Sequence, residues 1–446
     1  MAILPNRLSL LPLLFATSAT ALGCGDEPAK QFADAAPKSD AGADAAPDAP
    51  TNGPVEVTVL GAGGPLAGAT VVFQNADDTV VTSAITAANG VATQVMAPGG
   101  SVTVIANASS SEAATVLAVN PGDKIKVRTN GPGVEEVFVD VSLTLPPNST
   151  GTYAVRSSCG PNYTSIAATN NALSFSLPAS CSQSSFVVKR EATSGSGGLP
   201  AATIVKANVT PTNGVYDLSD QTFANLITNT LTGADIPTVD FVQGVVAPIV
   251  NGMVAELDES QAGIEPPGFP TFSGTFQRVD SAAATKQTVD LMFRAAGQQL
   301  FVAIAPLGDY AFAGTTSMLP WLTDVAWNST GNSATFTTAV GGTAPINGAF
   351  IAVGFNRGKS FFTHRVVGPS ATALRFPVLP ATLSNFNIVT GDSTFIEDAG
   401  LISSTGGYDA LRQVFYVVDG PRDVVIDSPL PNAKATVSLF FNQRKR

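Results

Sequence analysis

The tightest constraint on this chain is the two-residue beat of its apolar positions. Val137, Val139, Val141, Leu143 and Leu145 alternate with Phe138, Asp140, Ser142 and Thr144. Alternation of this kind sends one set of side chains to a buried face and the other toward water. The beat recurs at Val55, Val57 and Val59, at Val289, Leu291 and Phe293, and at Leu300, Val302 and Ile304. It returns at Val414, Tyr416 and Val418 and again at Val437, Leu439 and Phe441. Turn-forming residues separate the runs, as in Asn89-Gly90, Ser194 to Pro200 and Glu265 to Pro270. No helical periodicity extends beyond about two turns. The pattern predicts an all-β chain of tandem antiparallel β-sandwich domains.

With 446 residues, 44% of them hydrophobic and 13% charged, the chain can bury several cores. Its formal net charge of −11 argues against nucleic-acid binding by phosphate neutralisation. The apolar run from Phe241 to Leu257 is broken by Gly244, Pro248 and Gly252 and holds Gln243, so it does not read as a membrane helix.

The front end reads differently. Arg7, then Leu8 to Phe15, then small residues from Thr17 to Ala21 form the three parts of a secretory signal over residues 1–23. Ala21-Leu22-Gly23-Cys24 resembles a lipobox, although Ala21 stands where Leu is usual and Leu22 where a small residue is usual. The resemblance implies that Cys24 becomes the acylated N-terminus, anchoring the chain to a membrane. Gly25 follows where an Asp would mark inner-membrane retention in enteric bacteria, so the resemblance implies the outer membrane. Residues 24–53 are nearly all Ala, Asp, Pro, Gly, Ser and Lys, too polar to offset their chain entropy by burial, and are expected to act as an extended tether.

A first folded unit is expected over 54–130. Val57-Thr58-Val59, Gly64-Pro65-Leu66-Ala67-Gly68-Ala69-Thr70-Val71, Asn89-Gly90-Val91-Ala92-Thr93 and Pro98-Gly99-Gly100 resemble the carboxypeptidase regulatory-like domain. That family is a small transthyretin-like sandwich used as a non-catalytic accessory module, and the resemblance covers less than a fifth of the chain. Two further β-rich regions are expected, 131–265 and 266–446.

Cys159 and Cys181 remain in the exported body, and an even pair in an oxidising compartment is most simply a disulfide. It would close a loop of about 23 residues and contribute roughly 3 kcal/mol. Neither cysteine has a His or second Cys at metal-ligand spacing, and neither a metal nor a cofactor is implied.

Catalytic chemistry has little to draw on. The single histidine, His364, lies in Phe361-Phe362-Thr363-His364-Arg365, a strand-like stretch with no Gly-x-Ser-x-Gly elbow anywhere in the chain, and reads as structural. Gly358-Lys359-Ser360 matches the end of a phosphate loop. However, Val353 replaces the first glycine, and Phe361-Phe362 reads as strand where a helix is needed. Carboxylates cluster at Glu256, Asp258, Glu259 and Glu265 and at Asp217 and Asp220, and such loop acids usually form a solvated surface. Trp321 and Trp327, near Tyr310 and Phe312, would stack on a sugar if exposed and form core if buried.

The expectation is a non-catalytic, lipid-anchored envelope protein, structural, adhesive or ligand-binding through its sandwich loops, with an envelope protein or glycan as partner. The alternatives are an envelope glycoside hydrolase using paired carboxylates and an accessory subunit of an outer-membrane transport complex.

Overall fold

A computed structural model describes residues 52–61, 64–107, 111–129, 138–146, 152–157, 163–167, 171–178, 184–191, 201–210, 214–250, 253–255, 260–264, 270–295, 297–369, 373–413 and 432–440. The chain divides into two compact units, Met1–Ala49 and Pro50–Arg446. The first lies outside the described residues, as do Cys24, Cys159, Cys181 and the expected strand at 414–418. The second unit is all-β, built of several sheets that are antiparallel apart from a few parallel pairings. Among the described residues its helical pieces are Gly314–Ser317, Gly407–Gln413 and a 3-10 segment at Ala381–Phe386. No helix there is long and apolar enough to cross a membrane, and Phe241–Val250 is a strand.

A 13-stranded sheet runs through this unit. Val80–Ile85, Thr70–Gln74, Gly100–Ile105 and Glu112–Val119 form one end. Ser360–Pro369, Gly348–Arg357, Ser393–Ser404 and Lys434–Leu439 follow, then Gln298–Pro306, Ala284–Arg294 and Phe241–Val250. The early strands join the late ones through a parallel seam, in which Thr363 faces Glu112 and Val367 faces Val116. Glu112–Val119 reads Glu-Ala-Ala-Thr-Val-Leu-Ala-Val and is buried on both faces, which is why the alternating pattern did not reveal it.

Smaller sheets cover this long one and close the sandwiches. Gly53–Gly61, Val91–Met96 and Lys124–Arg128 pack Val55, Val57, Val59 and Ile125 onto Val71, Phe73, Val104 and Val116. That core also takes in Phe350 and Ile402 from the late strands and Leu411 from the helix Gly407–Gln413. Residues 138–225 form their own sandwich, a five-stranded and a three-stranded sheet, around Leu143, Tyr153, Leu173 and Phe186. A third core gathers Val289, Phe293, Phe301 and Phe312, and a fourth gathers Ile351, Val353, Phe355 and Val366. The segment from Phe376 to Ile388 lies across the early strands, where Leu379 and Phe386 meet Ile105 and Ala113.

Asn89-Gly90 makes the expected turn. Gly90 sits at φ +73°, and a Cβ there would lie 2.7 Å from the Val59 carbonyl oxygen.

A less visible device recurs three times. Gly233 stands directly opposite Phe272, Gly400 opposite Phe350 and Gly354 opposite Phe395. In each pair the phenylalanine ring fills the space a Cβ would need, with ring atoms 2.1, 2.4 and 2.7 Å from it. The ring thereby covers backbone that the glycine leaves bare. Gly400→Ala should destabilise the unit by about 1–3 kcal/mol, because Phe350 would be driven off its rotamer inside a shared core. Chemical-denaturant unfolding of the variant beside wild type checks this, and an unchanged midpoint would refute it.

Candidate functional site

The residues singled out from sequence have distinct fates. His364 is 1% exposed and its Nε2 lies 2.8 Å from Thr115 Oγ1, which in turn lies 2.7 Å from Thr103 Oγ1. Its ring meets Phe376 edge-on at 5.0 Å. Burial pushes its pKa down to about 4, opposed by a backbone hydrogen bond with Phe386. This is a structural histidine. Gly358-Lys359 forms the two-residue turn between Gly348–Arg357 and Ser360–Pro369, with Gly358 at φ +63°, so no phosphate-binding helix follows. Trp321 is core at 3% exposure, and Trp327 packs edge-on against Phe376 at 4.8 Å. Asp217 is the exposed last residue of the strand Gly214–Asp217, its carboxyl held below the usual range by hydrogen bonds from Ser219. Glu256, Asp258, Glu259 and Glu265 lie outside the described residues.

One cavity, of about 260 Å³, opens between Phe301, Pro345, Ser404, Lys434 and Thr436. Several of its polar groups are committed to the fold. Thr436 Oγ1 donates to the Ser317 carbonyl (2.6 Å), Ser404 Oγ to that of Gly407 (3.1 Å) and Thr405 Oγ1 to that of Lys434 (3.3 Å). That leaves little polar chemistry to orient a ligand.

A richer constellation lies on the long sheet. In Ser360–Pro369, the side chains of Phe361, Thr363 and Arg365 share a face because strand positions repeat every second residue. On one side Arg365 pairs with Ala114 and on the other with Ala352, two small residues that leave room for its guanidinium to spread sideways. It meets the Glu112 carboxylate through Nε. Beyond Ala352 comes Asp398, whose carboxyl is raised by burial while the charge of Arg365 acts the other way. Arg365 and Glu112 are 25% and 17% exposed, so solvent reaches this cluster.

A register shift between Ala352 and Val353 brings Asp398 opposite Ala352 and Ile396 opposite Val353, leaving Glu397 as the extra residue of a β-bulge. Ile396 packs into the fourth core, and a Cβ at Gly354 would meet Glu397 Cγ at 3.1 Å. The bulge therefore sets two consecutive acids beside one another. Next to them, Phe361 and Phe395 stack with ring centroids 5.8 Å apart and planes within 14°. Phe361 is 42% exposed. Sequence reasoning missed this site because its members come from three separated segments and each looks like an ordinary outward strand residue.

The fold and this face together define an all-β, multi-sheet protein with an open aromatic and charged surface. No protein-family model matches the chain, and no curated protein matches it either. Among solved structures, the Bacillus anthracis TIE protein aligns over 59% of this chain at 11% identity with a TM-score of 0.15. A product complex of SpuA, a multi-modular glycogen-degrading pneumococcal virulence factor, aligns over 65% at 10% identity, again with a TM-score of 0.15. The alignments span 50% and 40% of those two chains, and likeness at this level defines no family.

Proposed function

We propose that this is a lipid-anchored protein of the bacterial cell envelope that binds a ligand without transforming it. The observation that carries the reading is the partly exposed sheet face that the stacked Phe361 and Phe395 share with the Glu112–Arg365 ion pair and Asp398. Exposed aromatic surface beside fixed polar groups is the composition of a recognition surface. The lipobox-like Ala21-Leu22-Gly23-Cys24, the polar spacer behind it and the resemblance of residues 54–130 to an accessory sandwich all support display on the envelope, favouring the outer membrane. No cofactor enters this reading.

Anchoring is tested by labelling cells with a radioactive fatty acid. The wild type should incorporate label and sediment with membranes, while Cys24→Ser should take up none and be released. An unlabelled wild type would overturn the anchor. Binding is tested by crosslinking in intact cells followed by mass spectrometry, with a reproducible partner as the expected result and no adduct as the contrary one. Recovery of a barrel protein would identify a transport complex as the setting.

A glycoside hydrolase has one feature in its favour, the burial that raises the Asp398 carboxyl as a general acid requires. Against it, the Glu112 carboxylate is tied to Arg365. Hydrolysis of envelope glycans that Asp398→Asn leaves undiminished, or no hydrolysis by wild type, removes this reading.

A further inference from the structure

We propose that the face formed by Phe361, Phe395, Glu112, Arg365 and Asp398 binds a neutral glycan, a pyranose ring against the exposed Phe361 and its hydroxyls on the charged cluster. The proposal rests on the binding reading above and names the ligand class.

Geometry comes first. Phe361 and Arg365 lie on one strand face, about 13 Å apart at the usual strand rise, with the buried Thr363 between them. The rings of Phe361 and Phe395 stack on one another, near-parallel with centroids 5.8 Å apart, and the exposed Phe361 offers the pair's aromatic surface to one pyranose ring. A pyranose has an apolar C–H face that suits an aromatic ring and a rim of hydroxyls that both donate and accept. Carboxylates accept from such hydroxyls and a guanidinium donates to them, and here Asp398, Arg365 and Glu112 lie side by side across adjoining strands.

Charge then selects the kind of glycan. Glu112 and Asp398 flank the guanidinium of Arg365 and Glu397 follows on the bulge, so an anionic polymer meets an excess of like charge. A cationic peptide is also disfavoured, because Arg365 already occupies the place among the carboxylates that its cation would take. A neutral polyol fits both signs. The bulge at Glu397 adds a geometric argument, since it brings two acids to a position where a regular strand would present one.

The test is affinity electrophoresis of the full-length chain, purified in detergent, through gels containing xylan, mixed-linkage β-glucan, galactomannan or amylopectin, with polygalacturonate as the anionic control. The wild type should be retarded in at least one neutral gel and migrate freely through polygalacturonate. Phe361→Ala and Arg365→Met should each weaken retardation about tenfold. Val340→Ala, at a position 96% exposed, should not change it. Because Phe361 is 42% exposed, Phe361→Ala should stay folded and melt only slightly below wild type, separating a lost ligand contact from a lost fold.

Free migration in every neutral gel, retention by polygalacturonate, or full retention of Phe361→Ala would overturn the assignment. A photoreactive residue replacing Phe361 then separates the two levels. An adduct with an envelope protein and no glycan retention sinks the glycan and leaves the binding reading standing, whereas neither adduct nor retention sinks both.

Discussion

Asp123→Ala is expected to destabilise the Pro50–Arg446 unit by about 3–5 kcal/mol, among the largest effects of any single substitution in the chain. Asp123 lies in the turn before Lys124–Arg128, and Arg412 lies in the helix Gly407–Gln413. Arg412 Nε donates to Asp123 Oδ2 at 2.7 Å and Nη2 to Oδ1 at 3.0 Å, with both side chains 7% exposed or less. Removing the carboxylate leaves a buried guanidinium without its bidentate partner, and its desolvation is then offset only by the solvent-side contact with Asp409. The neighbouring Asp409, 76% exposed, also touches Arg412 but from the solvent side.

The same helix places the Tyr408 hydroxyl 2.7 Å from the Leu117 carbonyl and 3.3 Å from that of Val367, on the two strands of the parallel seam. Asp123→Ala should therefore also speed amide exchange in Glu112–Val119. Replacing both partners, Asp123→Leu with Arg412→Met, should recover much of the loss, because a buried pair exchanged for apolar groups is close to neutral. Denaturant unfolding of the three proteins decides it: a single variant within 1 kcal/mol of wild type, as a rough bound on surface effects, would contradict the role given to this pair.

The second large effect is a pH dependence. His364 is neutral in the fold, its pKa pushed from 6.5 to about 4 by burial. Because Nε2 meets Thr115, the hydrogen bond with the Phe386 backbone falls to Nδ1–H, and Nε2 accepts from the threonine hydroxyl. As pH falls below 6.5 the unfolded chain takes up a proton that the folded chain refuses, so stability declines. The decline stops near pH 4, where both states are protonated. A shift of this size corresponds to about 3 kcal/mol lost across that window. The groups packed on His364, namely Thr103, Thr115, Phe376 and Phe386, do not titrate there. His364→Gln keeps a donor and an acceptor but cannot titrate, so its stability should fall less between pH 6.5 and 4 than that of wild type. Parallel slopes for the two proteins would refute the assignment.

Alternation carried much of the fold because half-buried strands write their burial into the sequence. Val141, Leu143 and Leu145 are buried as the beat requires, and so are Val289, Leu291 and Phe293. The parallel seam was not legible. Glu112–Val119 and Ser360–Pro369 are about 250 residues apart, the first buried on both faces and the second buried at Thr363, His364 and Val366 to Gly368, and they carry no period that names a partner. The Gly–Phe pairs share this character: Gly354 looks like a turn residue until Phe395 is seen opposite it.

The candidate site was hidden for a related reason. Runs of acids and tryptophans are signals that are local in sequence. The acids that gather on the sheet face are Glu112 and Asp398, joined through Arg365, and only strand register brings them together. The one local trace was the bulge, since Ile396-Glu397-Asp398-Ala399 breaks the apolar–polar beat with two adjacent acids. In a single sequence that break cannot be told from a loop.

The most direct test of the account is site-specific photo-crosslinking in intact cells, with the photoreactive residue at position 361 on the face or at position 340, where Val340 is 96% exposed and outside the strands that form the face. A defined adduct from position 361 that position 340 does not give is the expected result. Identical adducts from both positions, or none from 361, would contradict the assignment of this face as the recognition surface.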